Sequence, residues 1–243
     1  IIENTSLPVA EAGSDIVLNC FNPTNVLDGG YSSNGQSFTY QWQDEQNLPI
    51  GNQTTLPIDT GQTYTLIVTD TENGCNSSDE IVVSENFVAP VSDAGIDITL
   101  DCQTTLFSLG GPNTSTGNNY TYEWNNSSGQ TIGSDVNQLV EVQDIFQLIV
   151  LDDLNGCADT SVIEVSLDQE IPFATGSVDE LLTCIQLTAT LNATGTATTS
   201  EMAYNWSTLS GGTIITGTND LTPYVELPGE YQLIVTNSIN HCA

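Results

Sequence analysis

Tyr64-Thr65-Leu66-Ile67-Val68 carries a large apolar side chain at every second position, and the same rhythm returns as Phe146-Gln147-Leu148-Ile149-Val150 and Tyr231-Gln232-Leu233-Ile234-Val235. A period of two is that of a strand with one buried face. Phe38-Thr39-Tyr40-Gln41-Trp42 alternates in the same way, and Ile81-Val82-Val83 does so more loosely. Between these stretches lie Asn, Gly, Asp, Ser and Thr clusters such as Asn73-Gly74 and Asn155-Gly156, which is hairpin chemistry. No segment sustains a helical period. The sequence predicts an all-β fold.

Working outward, the three alternating stretches belong to a long repeat. Cys20, Cys102 and Cys184 are spaced 82 and 82, as are Tyr40, Tyr122 and Tyr204, and Trp42, Trp124 and Trp206. Pro8, Pro90 and Pro172 keep the period, and so do Asp15, Asp97 and Asp179. Cys75, Cys157 and Cys242 are spaced 82 and then 85, the three extra residues falling between Trp206 and Tyr231. A unit of this size exceeds a solenoid turn and suits a small sandwich domain. The expected division is a tail of a preceding repeat over 1–7, then repeats over 8–89, 90–171 and 172–243. Ile1-Ile2-Glu3-Asn4 aligns with Val83-Ser84-Glu85-Asn86, the end of a last strand, whereas only Ala243 follows Cys242. The third repeat is therefore expected to lack its last strand, with further copies on both sides. The junctions, Glu85 to Pro90 and Asp168 to Pro172, are short and end in proline, which favours a semi-rigid rod over a loose tether.

Composition narrows function. The 243 residues include 31 acids, one histidine and neither lysine nor arginine, for a formal charge of −31. Without basic side chains there is no phosphate clamp, no Schiff-base lysine and no counterion-releasing surface for nucleic acid. Attraction to anionic lipid is excluded on the same grounds. His241, two residues from the end, offers almost nothing on which to build a nucleophile–base pair, and is expected to be a turn residue with no role. No apolar run approaches a membrane span of about 20 residues. Like charges at this density call for screening by salt or cations, which suits a saline, extracellular setting. The sequence predicts no enzyme, no nucleic-acid partner and no membrane insertion.

Each copy reads Ala-Gly-x-Asp, Leu-x-Cys, Tyr-x-Trp, Tyr-x-Leu-x-Val and Asn-Gly-Cys, as in Ala12-Gly13-Ser14-Asp15, Leu18-Asn19-Cys20, Tyr40-Gln41-Trp42 and Asn73-Gly74-Cys75. This resembles the PKD-like, immunoglobulin-like tandem repeats of giant secreted surface proteins of Bacteroidota. The resemblance covers nearly the whole chain. It implies β-sandwich domains, export by the type IX system, display outside the cell, and service in adhesion, gliding or prey-capture filaments. The third copy departs from the pattern, with Ser177 where the second has Gly95 and Asn240-His241-Cys242 for Asn-Gly-Cys.

Candidate residues fall into three groups. The cysteines form pairs separated by 55, 55 and 58 residues, so one bridge is expected within each domain: Cys20–Cys75, Cys102–Cys157 and Cys184–Cys242. The second cysteine follows the turn after the Tyr-x-Leu-x-Val strand, which places the bridge near one end of the sandwich. Metal ligation by these cysteines would need Cys-x-x-Cys spacing and histidines, and neither is present. Trp42, Trp124 and Trp206, with Tyr40, Tyr122 and Tyr204, are read as core aromatics; the rival reading makes the indoles sugar-stacking platforms. Asp15, Asp97 and Asp179, joined by Asp93, are candidates for calcium, with turn-capping as the rival role. No cofactor is required, and calcium stays open. The expected partners are neighbouring repeats, further copies in a homo-oligomeric filament, and a cell-surface or glycan target. Two functions stand: a structural and adhesive rod, or a carbohydrate-binding array assisted by calcium.

Overall fold

The computed structural model describes residues 4–243, so the expectation for Ile1–Glu3 lies outside the described residues. Among the described residues there is no helix, and hence none long and apolar enough to cross a membrane. In the first copy the strands are β1 (Ile16–Asn19), β2 (Asn25–Asp28), β3 (Phe38–Gln43), β4 (Pro49–Gly51), β5 (Thr55–Ile58), β6 (Thr63–Asp70) and β7 (Asn76–Asn86). The second copy has β8 (Ile98–Leu100), β9 (Phe107–Leu109), β10 (Tyr120–Asn125), β11 (Thr131–Gly133), β12 (Gln138–Val140), β13 (Asp144–Asp152) and β14 (Ala158–Leu167). The third has β15 (Ser177–Val178), β16 (Ala189–Asn192), β17 (Met202–Ser210), β18 (Thr213–Thr216), β19 (Tyr224–Leu227) and β20 (Glu230–Asn237). The fold is all-β, as the alternation predicts.

In the first copy one sheet runs β1-β7-β6-β3-β4 and the other pairs β2 with β5. Both sheets feed a single core. Trp42, Leu66, Val68, Ile81 and Val83 come from the larger sheet, and Leu27, Leu56 and Ile58 from the smaller. The period-two pattern explains why: Tyr64, Leu66 and Val68 point inward from β6 while the residues between them do not. The second copy repeats this order, with β11-β10-β13-β14-β8 in one sheet and β12-β9 in the other. Its buried residues fall at the same positions, among them Leu109, Trp124, Phe146, Leu148, Ile163 and Val165. The third copy differs, with sheets β15-β16-β19-β18 and β17-β20.

β1 pairs with β7 in parallel, Ile16 opposite Val83 and Asn19 opposite Asn86. β8 and β14 do the same, from Ile98 opposite Val165 to Leu100 opposite Leu167. The first strand of each of these copies thus lies along the far end of its last strand. The chain falls into two compact units. One holds Ile1–Asp93, Asn113–Glu123 and Leu148–Ser161, and the other Ala94–Pro112, Trp124–Gln147 and Val162–Ala243.

Candidate functional site: the junction clasps

The disulfides are Cys20–Cys157 and Cys102–Cys242, with Cα atoms 5.0 and 5.1 Å apart. Each joins the first cysteine of one repeat to the second cysteine of the next. The expected bridges Cys20–Cys75, Cys102–Cys157 and Cys184–Cys242 are not formed, and Cys75 and Cys184 carry no bridge. The parallel register explains the correction. Cys75 immediately precedes β7, while Cys20 follows Asn19, which lies opposite Asn86 at the other end of β7. Eleven residues of strand separate the two by roughly 30 Å, whereas a disulfide tolerates a Cα separation of no more than about 7 Å. The bridges do sit at sandwich ends. An end, however, is where one copy meets the next.

A common turn presents the second cysteine of each copy. In the first copy the Cys75 N–H donates to Asn73 Oδ1 (2.8 Å) and Asn73 Nδ2 donates to the Ser6 carbonyl (3.0 Å). In the second, Cys157 N–H donates to Asn155 Oδ1 (2.9 Å) and Asn155 Nδ2 to the Val88 carbonyl (2.9 Å) and Asn86 Oδ1 (3.1 Å). In the third, Cys242 N–H donates to Asn240 Oδ1 (3.1 Å) and Asn240 Nδ2 to Asp168 Oδ1 (2.8 Å) and the Glu170 carbonyl (3.1 Å). Ser6, Val88 and Glu170 are themselves one period apart. Each asparagine therefore holds its turn against the junction that leads into its own copy. Reading Asn-Gly-Cys as hairpin chemistry misses this second role. The signal available was that the asparagine recurs even where the glycine does not.

The two clasps differ in what surrounds the sulfurs. At the first, Phe21 N–H donates to the Asn155 carbonyl (3.3 Å), and the Phe21 ring lies so close to Gly156 that a Cβ there would collide with it. At the second, Cys102 N–H donates to the Asn240 carbonyl (3.1 Å), and His241 Nδ1 lies 2.9 Å from Asp101 Oδ2. His241 takes the left-handed conformation of the glycines at its position, with φ 56° beside 74° at Gly156 and 75° at Gly74. It is a turn residue, as expected, but it also has a partner across the clasp. The Asp101 carboxyl is held down to about 2, first by the N–H of Thr104 and next by the His241 side chain.

The aromatic candidates lie inside their copies. Trp42 and Trp124 are fully buried and Trp206 is 5% exposed. Each indole N–H donates to a carbonyl at 3.1 Å, those of Gln53, Asp135 and Asp220. The hydroxyls of Tyr40, Tyr122 and Tyr204 donate to the carbonyls of Ser33, Ser115 and Ala197, seven residues upstream in every case. Trp206 also lines a cavity of about 700 Å³, together with Leu191, Val225, Tyr231 and Leu233. In the first copy Ile81 and Val83 of β7 complete the corresponding core.

The acidic candidates bond to the fold. Asp15 accepts from the Val82 N–H (3.0 Å) and Asp97 from the Glu164 N–H (2.8 Å), tying the first strand to the last. Asp93 accepts from Asn113 N and Nδ2 (3.1 and 2.9 Å), and Asp179 from Asn192 Nδ2 (3.1 Å). Among the described residues no group of three or more His, Cys, Asp or Glu could hold a metal ion.

No protein-family model matches the chain, and no curated protein does. Among solved structures, the I67–I69 fragment of the titin I-band is similar over 96% of this chain and 94% of its own, at 10% identity and TM-score 0.42. Extracellular domains 3–5 of Drosophila OTK cover 95% and 91%, at 10% identity and TM-score 0.31. The three N-terminal domains of the bacteriophage RB49 outer capsid protein Hoc cover 91% and 88%, at 15% identity and TM-score 0.33.

Proposed function

We propose that the chain is a non-enzymatic structural and adhesive segment of a large extracellular surface filament. In this reading each 82-residue copy is one module of a disulfide-stapled rod, of the PKD-like kind displayed by Bacteroidota through type IX secretion for attachment, gliding or prey capture. The observation that carries it is the overlap of the two bridges. The loops closed by Cys20–Cys157 and Cys102–Cys242 share residues 102–157. A single backbone cut anywhere between Cys20 and Cys242 consequently leaves the chain in one covalent piece. Bridges within each copy would leave the junctions unprotected. Continuity of this kind serves a load-bearing extracellular tether exposed to proteases, and an oxidising compartment is where such bridges persist. The absence of lysine and arginine, which denies trypsin any site, points the same way.

The reading requires no cofactor. Buried indoles with satisfied N–H groups favour it over a sugar-stacking array, in which the ring faces would have to be open. The test is limited digestion of the intact chain with a glutamate-specific protease, followed by single-molecule stretching. Chains nicked once, at Glu80 or Glu85 for example, are expected to keep their 25.9 kDa mass and hold load until reductant is added. Chains that part without reductant, or a purified chain that hydrolyses a glycan or peptide at an enzymatic rate, would overturn the proposal. Binding on a glycan array with calcium dependence would favour the alternative.

A further inference from the structure

Asn-Gly occurs three times in the chain, as Asn34-Gly35, Asn73-Gly74 and Asn155-Gly156. Asparagine is a thermolabile residue, and least protected before glycine, whose nitrogen has no Cβ beside it to hinder attack on the asparagine side chain. The fold treats the three pairs differently. At the two Asn-Gly-Cys turns both reacting groups are tied. Asn73 Oδ1 accepts the Cys75 N–H and Asn155 Oδ1 the Cys157 N–H, while each Nδ2 donates across to the junction. The nitrogens that would attack are engaged as well, Gly74 N–H with the Asp70 carbonyl (2.8 Å) and Gly156 N–H with that of Asp152 (2.7 Å). Asn73 is half-buried, and Asn155, at 1% exposed, is shut away from water.

Asn34-Gly35 lies in the loop between β2 and β3, and both residues are exposed. Among the described residues nothing bonds the Asn34 side chain or the Gly35 N–H. The loop does not use that side chain. Its closing bond, from Phe38 N–H to the Gly35 carbonyl (3.3 Å), recurs from Tyr120 to Gly117 (3.4 Å) and from Met202 to Thr199 (3.1 Å). In those two copies the position of Asn34 is taken by Thr116 and Thr198.

We propose that Asn34 is a self-modification site, converted with time to aspartate and isoaspartate, while the fold holds Asn73 and Asn155 unreactive. The Gly35 nitrogen gives up its proton and bonds to Asn34 Cγ. The Cγ–Nδ2 bond breaks, and the side-chain amide leaves with that proton as ammonia. Water then opens the cyclic imide. Attack at Cγ leaves an aspartate in an unchanged backbone, and attack at the backbone carbonyl carbon leaves an isoaspartate, with one more methylene in the main chain. No electrons change hands, and water is the only co-reactant.

The product adds a carboxylate to a chain that already carries 31 acids. It does so beside Ser33, whose N–H donates to the Val9 carbonyl (2.9 Å) and whose Oγ accepts the Val9 N–H (2.9 Å). The Ser33 carbonyl also accepts the Tyr40 hydroxyl (2.9 Å). The change therefore accumulates, one way, in the loop that pins the segment around Val9 to the first copy. The inference stands on the geometry of the three Asn-Gly pairs and not on the adhesive reading, which survives if it fails.

The experiment incubates the full chain, both bridges intact, in mildly alkaline water enriched in heavy oxygen, which labels every carboxyl formed during the incubation. Chymotryptic peptides are then read by mass spectrometry. Label is expected to enter at Asn34 roughly tenfold or more faster than at Asn155, which reacts only when its turn opens, with Asn73 between them. In the reduced, urea-unfolded chain the three sites are expected to react within a few-fold of one another. Asn34→Thr, which installs the residue of the second copy, is expected to remove most of the ammonia that the folded chain releases. Equal labelling of the three sites in the folded chain, an Asn34 slowed by folding as much as Asn155, or undiminished ammonia from the Asn34→Thr chain would each overturn the proposal.

Discussion

The first and third copies are written in the same sequence rhythm, yet their cores differ. Eleven buried residues make up the first core, two of them, Ile81 and Val83, from β7. The third has five, and Tyr231, Leu233 and Leu182 are only partly buried against them. Their counterparts Tyr64, Leu66 and Leu18 are fully enclosed. Among the described residues no strand follows β20 in the place that β7 takes in the first copy. The consequences reach beyond the missing side chains. Glu180–Leu182, aligned with β1, form no strand, because the partner that β1 pairs with in parallel is not there. Asp179 likewise bonds Asn192, where Asp15 and Asp97 receive an N–H from the last strand. One strand therefore supplies the lid of the core, the partner of the first strand and the donor for a recurring aspartate.

The largest effect that would break this comparison is on the tryptophans. Trp42→Ala opens a void in a closed core and is expected to cost about 3–5 kcal/mol. Trp206 already borders the cavity, so Trp206→Ala removes fewer contacts and is expected to cost less by roughly 1–2 kcal/mol. Denaturant unfolding followed by circular dichroism measures both. Equal costs would mean that the open core is as tightly organised as the closed one.

A smaller effect sharpens the comparison by repairing the third copy. Ala243 stands at the position of Asn76, so extending the chain beyond it with the sequence of Ser77–Asn86 supplies an isoleucine and a valine at the positions of Ile81 and Val83. Burying two such side chains stabilises by about 1.5–3 kcal/mol each. That burial and the ladder of backbone hydrogen bonds to β20 together oppose the entropy lost in ordering the added strand, and a net gain in stability is expected. The gain is expected with a blue shift of Trp206 emission, read in a chain where Trp42 and Trp124 are phenylalanine. An extension with aspartate at both apolar positions is the control and is expected to leave the emission unchanged.

What was legible in the sequence, and what was not, follows the same physics. Alternation at Tyr64–Val68 and its two echoes located the strands and their inward faces, because facing is a local property with a period of two. The cysteine pairing was not legible, because a periodic chain leaves it ambiguous by whole periods. The realised separations, 137 and 140, are the expected 55 and 58 plus one repeat of 82. What decides between them is the parallel pairing of β1 with the far end of β7, a long-range register that no local pattern encodes. Asn155 and Asn240 were hidden for a similar reason. As turn formers they are visible in sequence, but their Nδ2 bonds to Val88 and Glu170 span most of a repeat. The recurring aspartates were visible as a pattern whose two readings, cation ligand and backbone acceptor, use the same atom type.

The smallest effect separates the two clasps by acid. At the first, Asn19 and Gly156 occupy the positions that Asp101 and His241 hold at the second, so only the second contains an ionisable pair. The Asp101 carboxyl, lowered to about 2 in the folded chain, compares with about 3.9 for a free aspartate. A group whose folded value is depressed contributes stability that is fully present above its unfolded value and is lost as pH falls through the folded one. Between about pH 4 and pH 2, then, the Thr104 amide and the His241 ring are expected to lose their anchor, a change with no counterpart at Asn19 and Gly156 of the first clasp. Carboxyl and amide NMR shifts of Asp101, Thr104 and Phe21 across that range read this directly. His241→Ala is expected to raise the Asp101 titration only part of the way, since the Thr104 N–H is the larger cause and remains. A full return to the ordinary aspartate range in that variant would mean that the histidine, and not the turn, sets the charge at the second clasp.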